Sequence, residues 1–84
     1  MADLLQVEIA TPERLVASAS ADSAQIPGKE GYMGILPGHA ALLSELGDGE
    51  LSFTLSGATE RFKVSGGYVE IRDNRVRVLA DKVT

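Results

Sequence analysis

The chain has no cysteine, so neither a disulfide nor a thiolate metal site can staple it. That lack fits a reducing compartment. It has a single histidine, His39, and a catalytic or metal-binding imidazole needs partners that the fold must bring to it. It lacks an excess of positive charge: 8 Lys and Arg stand against 12 Asp and Glu, interspersed, for a net charge of −4. A nucleic-acid partner wants a basic face, so none is expected. No stretch approaches the ~18 apolar residues of a membrane-spanning helix, so no membrane insertion is expected. Met1-Ala2-Asp3-Leu4-Leu5-Gln6 has no basic start and no long apolar run, and no signal peptide is expected there. The length of 84 residues sets one small domain, 1–84, which buries roughly 60–65% of its unfolded surface and has a thin core. An apolar content of 44% suffices for a folded domain rather than a disordered one.

What is present reads as strand almost throughout. Leu5, Val7 and Ile9 alternate with Gln6 and Glu8, a period of two that puts one face inward. Thr11-Pro12 breaks that run. Arg14 to Ala21 and residues 22–26 are two further candidates, and Met33 to Leu36 is a short apolar one between turn signals. Ala40 to Leu46 fits either a strand or one helical turn, before the turn Gly47-Asp48-Gly49. Leu51, Phe53 and Leu55 alternate with Ser52 and Thr54, and Ser56-Gly57-Ala58-Thr59 closes a hairpin into Phe62 and Val64. Gly66-Gly67 marks a bulge or a close backbone approach. Val69 and Ile71, then Val76 and Val78, flank Asp73-Asn74, a pair that tolerates the positive φ of a two-residue hairpin. Eight to ten short strands at this spacing read as an antiparallel sandwich or flattened barrel. The inward set is Val7, Ile9, Ile26, Ile35, Leu51, Phe53, Phe62, Val64, Val69, Ile71, Val76 and Val78.

The segment Ile26–Leu43 carries the most information. Glycines and prolines surround Tyr32-Met33-Gly34-Ile35-Leu36, and the segment closes on Pro37-Gly38-His39-Ala40. The backbone has to reverse sharply before and after that apolar stretch. Catalytic chemistry is missing around it. Glu30, Glu45 and Asp48 are near His39 in sequence but sit among ordinary turn residues. Gly28, Gly31 and Gly34 have no Lys-Ser/Thr pair after them, so no phosphate cradle is indicated. Ser65-Gly66-Gly67 lacks the Gly-x-Ser-x-Gly frame of a nucleophile elbow. The residues by themselves describe an acidic β domain that binds rather than catalyses, with no catalytic, cofactor or metal residue to name. A free-standing β-sandwich binding module fits this description. A small hydrolase or metal enzyme would need His39 and a carboxylate to converge in a pocket.

The run from Pro27 to Leu43 resembles the signature of the epsilon subunit of F-type ATP synthases (delta in mitochondria), roughly Gly-x-x-Gly-x-x-Gly-Ile/Val-x-Pro-Gly-His-Ala/Thr-Pro. Ser65-Gly66-Gly67-Tyr68-Val69-Glu70-Ile71, Asn74-Arg75-Val76-Arg77-Val78-Leu79-Ala80-Asp81 and the opening Leu5–Pro12 agree in place, so the likeness spans about Leu5 to Asp81. The resemblance implies an all-β fold, a ten-stranded antiparallel β-sandwich. It implies a non-catalytic rotor subunit of the central stalk that links the gamma subunit to the membrane c ring and couples proton transport to ATP synthesis. The setting it implies is peripheral, at the cytoplasmic face of a bacterial plasma membrane or its matrix or stromal equivalent. Position by position, Glu30, Gly31, Tyr32 and Met33 fall on the turn the family presents to the c ring, and His39 on the gamma side. Tyr32 stands where family members often carry an acid, and either anchors an interface or packs across the sandwich edge. His39 either makes a contact or serves its turn. Ala41 replaces a proline that commonly follows Ala40. Bacterial family members usually continue into two antiparallel helices that can inhibit ATP hydrolysis. This sequence stops at Thr84, as a natural short form or a fragment, so the helical hairpin is expected to be absent and with it inhibition by that route.

Overall fold

The computed structural model describes residues 3–84. Met1 and Ala2, with which the expected leaderless start opens, lie outside them. The alternating stretches become eight strands: β1 (Leu5–Ala10), β2 (Leu15–Ala21), β3 (Ser23–Gly28), β4 (Gly31–Ile35), β5 (Leu42–Glu45), β6 (Gly49–Leu55), β7 (Ala58–Arg72) and β8 (Arg75–Val83). There is no helix among the described residues. The strands hydrogen-bond in the order β2-β1-β8-β7-β6-β3-β4, with β5 pairing β7 beside this path. The order is open, with β2 and β4 at its two ends. The all-β sandwich expected from the alternation holds, with two differences of detail. The strands number eight, at the lower end of the eight to ten read from the spacing and below the ten that the resemblance implies, and one continuous β7 joins the Phe62–Val64 and Val69–Ile71 segments that read as two. The sheet is mixed rather than wholly antiparallel, because β1 lies parallel to β8, from Gln6 opposite Arg75 to Ala10 opposite Leu79.

The bend that makes two layers is written at one place. β5 and β6 both pair with β7 in one continuous register. Leu42 faces Ile71 and Glu45 faces Tyr68, while Gly49 faces Val64 and Leu55 faces Ala58. Between them Leu46-Gly47-Asp48 passes Ser65-Gly66-Gly67. There the Leu46 N–H donates to the Gly67 carbonyl at 2.9 Å, and the Ser65 hydroxyl donates to Asp48 Oδ1 at 2.8 Å. This is one long hairpin folded over a corner. Gly66 and Gly67 hold φ of 67° and 110°, a region closed to most L residues. A Cβ on Gly67 would lie 2.0 Å from the Leu79 carbonyl oxygen. Of the two readings of Gly66-Gly67, the close backbone approach is the one the structure takes. Pairing of β7 with β8 keeps one register on both sides, so no residue is looped out.

Eleven of the twelve residues expected inside are buried; Phe62 is half-buried and stacks on Phe53 at a ring-centroid distance of 6.0 Å. Leu5, Ala21, Ala24, Leu46 and Ala80 join the same cluster. Each fully buried aliphatic side chain contributes roughly 1.5–3 kcal/mol. No polar or charged residue is buried among the described residues, so the core carries no polar-burial penalty. Within Ala40 to Leu46 the stretch Leu42–Glu45 resolves as strand, its backbone groups paired with β7.

Candidate interaction surface

The two reversals around β4 stand apart in space. β4 runs five residues between them, about 16 Å at strand rise. The first is the Lys29-Glu30 turn between β3 and β4. Lys29 N–H donates to the Glu45 carbonyl at 3.1 Å and Gly47 N–H to the Pro27 carbonyl at 2.8 Å, and Lys29 Nζ pairs with Glu45 at 3.5 Å. Glu30, Gly31 and Tyr32 are exposed there. Met33 is not: successive strand residues point to opposite faces, and Met33 packs against the core cluster. The Tyr32 hydroxyl accepts the Glu50 N–H at 2.9 Å, and a Cβ on Gly49 would meet that hydroxyl. Tyr32 thus lies across the β6 edge while the residue stays 59% exposed. The geometry combines the two readings: the polar handle is spent within the chain and the ring remains available.

The second reversal is Leu36-Pro37-Gly38-His39. His39 N–H donates back to the Leu36 carbonyl at 3.1 Å, and Gly38 takes a φ of 88°. Gly38 N–H donates to Asn74 Oδ1 at 2.7 Å. Asn74 belongs to the β7–β8 hairpin tip, where Asp73 and Asn74 adopt φ of 50° and 61°, as their side chains allow. One residue therefore makes its own turn and clamps the other. The sequence signals only the first of those roles. Replacing Asn74 by alanine should lower stability by about 1–2 kcal/mol, from the strained φ and the lost acceptor together. Glycine there should cost less, as denaturant unfolding would show. His39 is half-buried, and its Nδ1 lies 2.7 Å from the Ala40 carbonyl, which makes Nδ1 the protonated donor and leaves Nε2 as the free ring nitrogen. His39 and the Glu30 turn are not brought together, and no group of three or more His, Asp or Glu gathers for a metal among the described residues.

The register lays out a third region that the sequence reading passed over. On the outer face of β2, β1, β8, β7 and β5, Leu15 faces Ala10, Ala10 faces Leu79, Leu79 faces Tyr68, and Leu43 stands one row along opposite Glu70. Leu15, Leu43, Tyr68 and Leu79 are all more than half exposed, Leu43 to 71%. With Glu8, Ala10, Glu70, Arg77 and Val78 they line a cleft of about 490 Å³. A row of large apolar side chains on a strand face turned to water is the mark of a surface that is covered in use. The alternation could have shown it. Tyr68 and Leu79 occupy outward positions, and outward apolar residues were not counted.

The family model for the ATP synthase delta/epsilon chain β-sandwich domain matches residues 4–84. The chain belongs to this family. An ATP synthase epsilon chain from Koribacter versatilis is 48% identical over 81 residues, covering 96% of this chain and 57% of that relative. One from Carboxydothermus hydrogenoformans is 47% identical over 81 residues, covering 96% and 60%. The chain thus spans about three-fifths of the length of the curated relatives it matches. Among solved structures, a chain of the Euglena gracilis mitochondrial ATP synthase (OSCP, F1 and c ring) superposes with a TM-score of 0.89 at 20% identity, covering 96% of this chain and 52% of that one. A chain of the central stalk and c ring of the Tetrahymena thermophila mitochondrial ATP synthase gives 0.79 at 19%, covering 99% and 67%. At that identity the superposition speaks for the fold, and the family assignment rests on the sequence match.

Proposed function

We propose that this chain, folded as one domain over 1–84, acts as a central-stalk rotor subunit of an F-type ATP synthase. It would join the gamma subunit to the c ring and carry torque between them without bond chemistry of its own. The observation that carries this reading is the exposed apolar row Leu15-Ala10-Leu79-Tyr68 with Leu43, in a domain of a family whose relatives are named as epsilon chains. Gamma is assigned to that row and to His39 beyond the upstream end of β5. The c-ring loops are assigned to the Lys29–Tyr32 turn, where Glu30, Gly31 and the Tyr32 ring are available and Met33 supports the turn from inside. The two solved neighbours are themselves chains of assemblies that contain a c ring. The site of action is the membrane periphery, at the cytoplasmic face in a bacterium.

Co-purification with the gamma subunit from the same genome tests the reading. The wild-type chain should form a stoichiometric complex that His39→Ala weakens by roughly three- to tenfold and Tyr32→Ala leaves unchanged, since only a minority of contact residues carry much binding energy. No complex at any salt concentration would favour a free-standing β-sandwich module instead.

A further inference from the structure

The outer face grades from charge to grease along β8. Side chains opposite one another across neighbouring strands share a face, as do residues two apart in a strand. Arg75 and Arg72 face each other at the β7–β8 hairpin, with Gln6 on the far side of Arg75. The next row holds Glu8, Arg77 and Glu70, and the third holds Ala10, Leu79 and Tyr68. The middle row sets two carboxylates against one arginine, with Arg77 Nε 3.3 Å from Glu8 and Glu70 on its other side. The first row sets two arginines side by side. Arg72 has only its neighbour Asp73, at 3.7 Å between two side chains that are 75% and 88% exposed, a pair worth little. No carboxylate pairs with Arg75 among the described residues, and the Gln6 amide is turned to Ser20 at 2.9 Å. Like charges directly opposite each other weaken a sheet, yet here they stand together in a chain of net charge −4. With Glu70, Asp73 and Arg77 they line a cleft of about 600 Å³.

We infer that Arg72 and Arg75 receive carboxylates of the gamma partner and so fix the direction in which that partner crosses the apolar row. This rests on the assignment of gamma to this face. The guanidinium fork takes a carboxylate in two parallel hydrogen bonds, and charge complementarity sets register and approach more than raw affinity. Arg75 and Leu79 are four residues apart on β8, about 13 Å. A partner helix lying along β8 would carry its carboxylates about nine residues from its apolar contact, and the reverse orientation would carry those carboxylates away from the arginines, past Asp81 toward the far end of β8.

Affinity for purified gamma, measured from low to high salt, tests this with two variants of the chain. Arg72→Gln/Arg75→Gln should bind about tenfold more weakly at low salt and match wild type at high salt, where rim charges are screened. Its melting temperature should hold or rise, because an opposed pair of like charges has been removed. Leu79→Glu should bind weakly at every salt concentration. If wild type binds and Leu79→Glu does not, but the double arginine variant follows the wild-type curve throughout, the arginine assignment falls and the gamma reading stands. If wild type itself does not bind, both fall.

Discussion

Gly67→Ala is expected to be the most destabilising single glycine substitution at this corner, lowering stability by about 3–5 kcal/mol. The substitution adds one methyl group, but at a φ of 110° and with Leu79 O 2.0 Å, Ala80 Cα 2.9 Å and Leu79 C 3.0 Å from the new carbon. All three are backbone atoms of β8, which pairs with β1 on one side and β7 on the other, so none can swing aside like the end of a side chain. The backbone strain and the forced separation of β7 from β8 together amount to about 3–5 kcal/mol. A domain of this size has roughly 4–13 kcal/mol in all. Two other glycines separate the contributions. Gly57 has a φ of 84° and open space around it, so Gly57→Ala measures the conformational cost alone, about 1 kcal/mol. Gly66 has a φ of 67° and would meet only the Asp81 side chain, which can rotate, so Gly66→Ala should fall between. Equal losses at all three positions, by urea unfolding, would mean that the β7–β8 approach is looser than described.

The same corner shows what the sequence could and could not reveal. Alternation exposed β1, β6, β8 and both halves of β7, because each has one buried face, and the glycine pair marked where β7 turns. It did not show that β7 is continuous, since the partner that holds the corner, Leu46 against Gly67, is twenty-one positions away and apolar. The Asp73-Asn74 hairpin was legible from turn chemistry, whereas the Asn74 clamp on Gly38 was not, because a side-chain bond across 36 positions leaves no local pattern. Likewise the parallel pairing of β1 with β8 depends on the whole chain. Tyr32 falls on an exposed turn, but its bond to Glu50 spans eighteen positions and leaves no local pattern. Met33 falls on the same turn, and the period of two sends its side chain inward against the core.

Leu79→Glu should reduce the affinity for gamma by about a hundredfold while leaving the fold intact, and it bears most directly on the proposed role. The side chain is 59% exposed in the free chain, so a glutamate there can be solvated until a partner arrives. The substitution should lower stability by no more than a few tenths of a kcal/mol, the strand-propensity difference at an outward position. In a complex that covers the row, the same carboxylate would be buried beside Tyr68, Ala10 and Leu15 with no donor close by, since Arg77 on the next row already holds Glu8. Burying an unpaired charge in an apolar contact costs several kcal/mol unless water enters with it, and about 2.7 kcal/mol of that corresponds to the hundredfold loss. The Tyr32→Ala variant is the matched control, because Tyr32 belongs to the turn assigned to the c ring and also removes an exposed large side chain. A loss confined to Leu79→Glu separates the two faces. Equal losses would mean that one partner covers both, and unchanged binding in Leu79→Glu would remove the apolar row from the gamma contact.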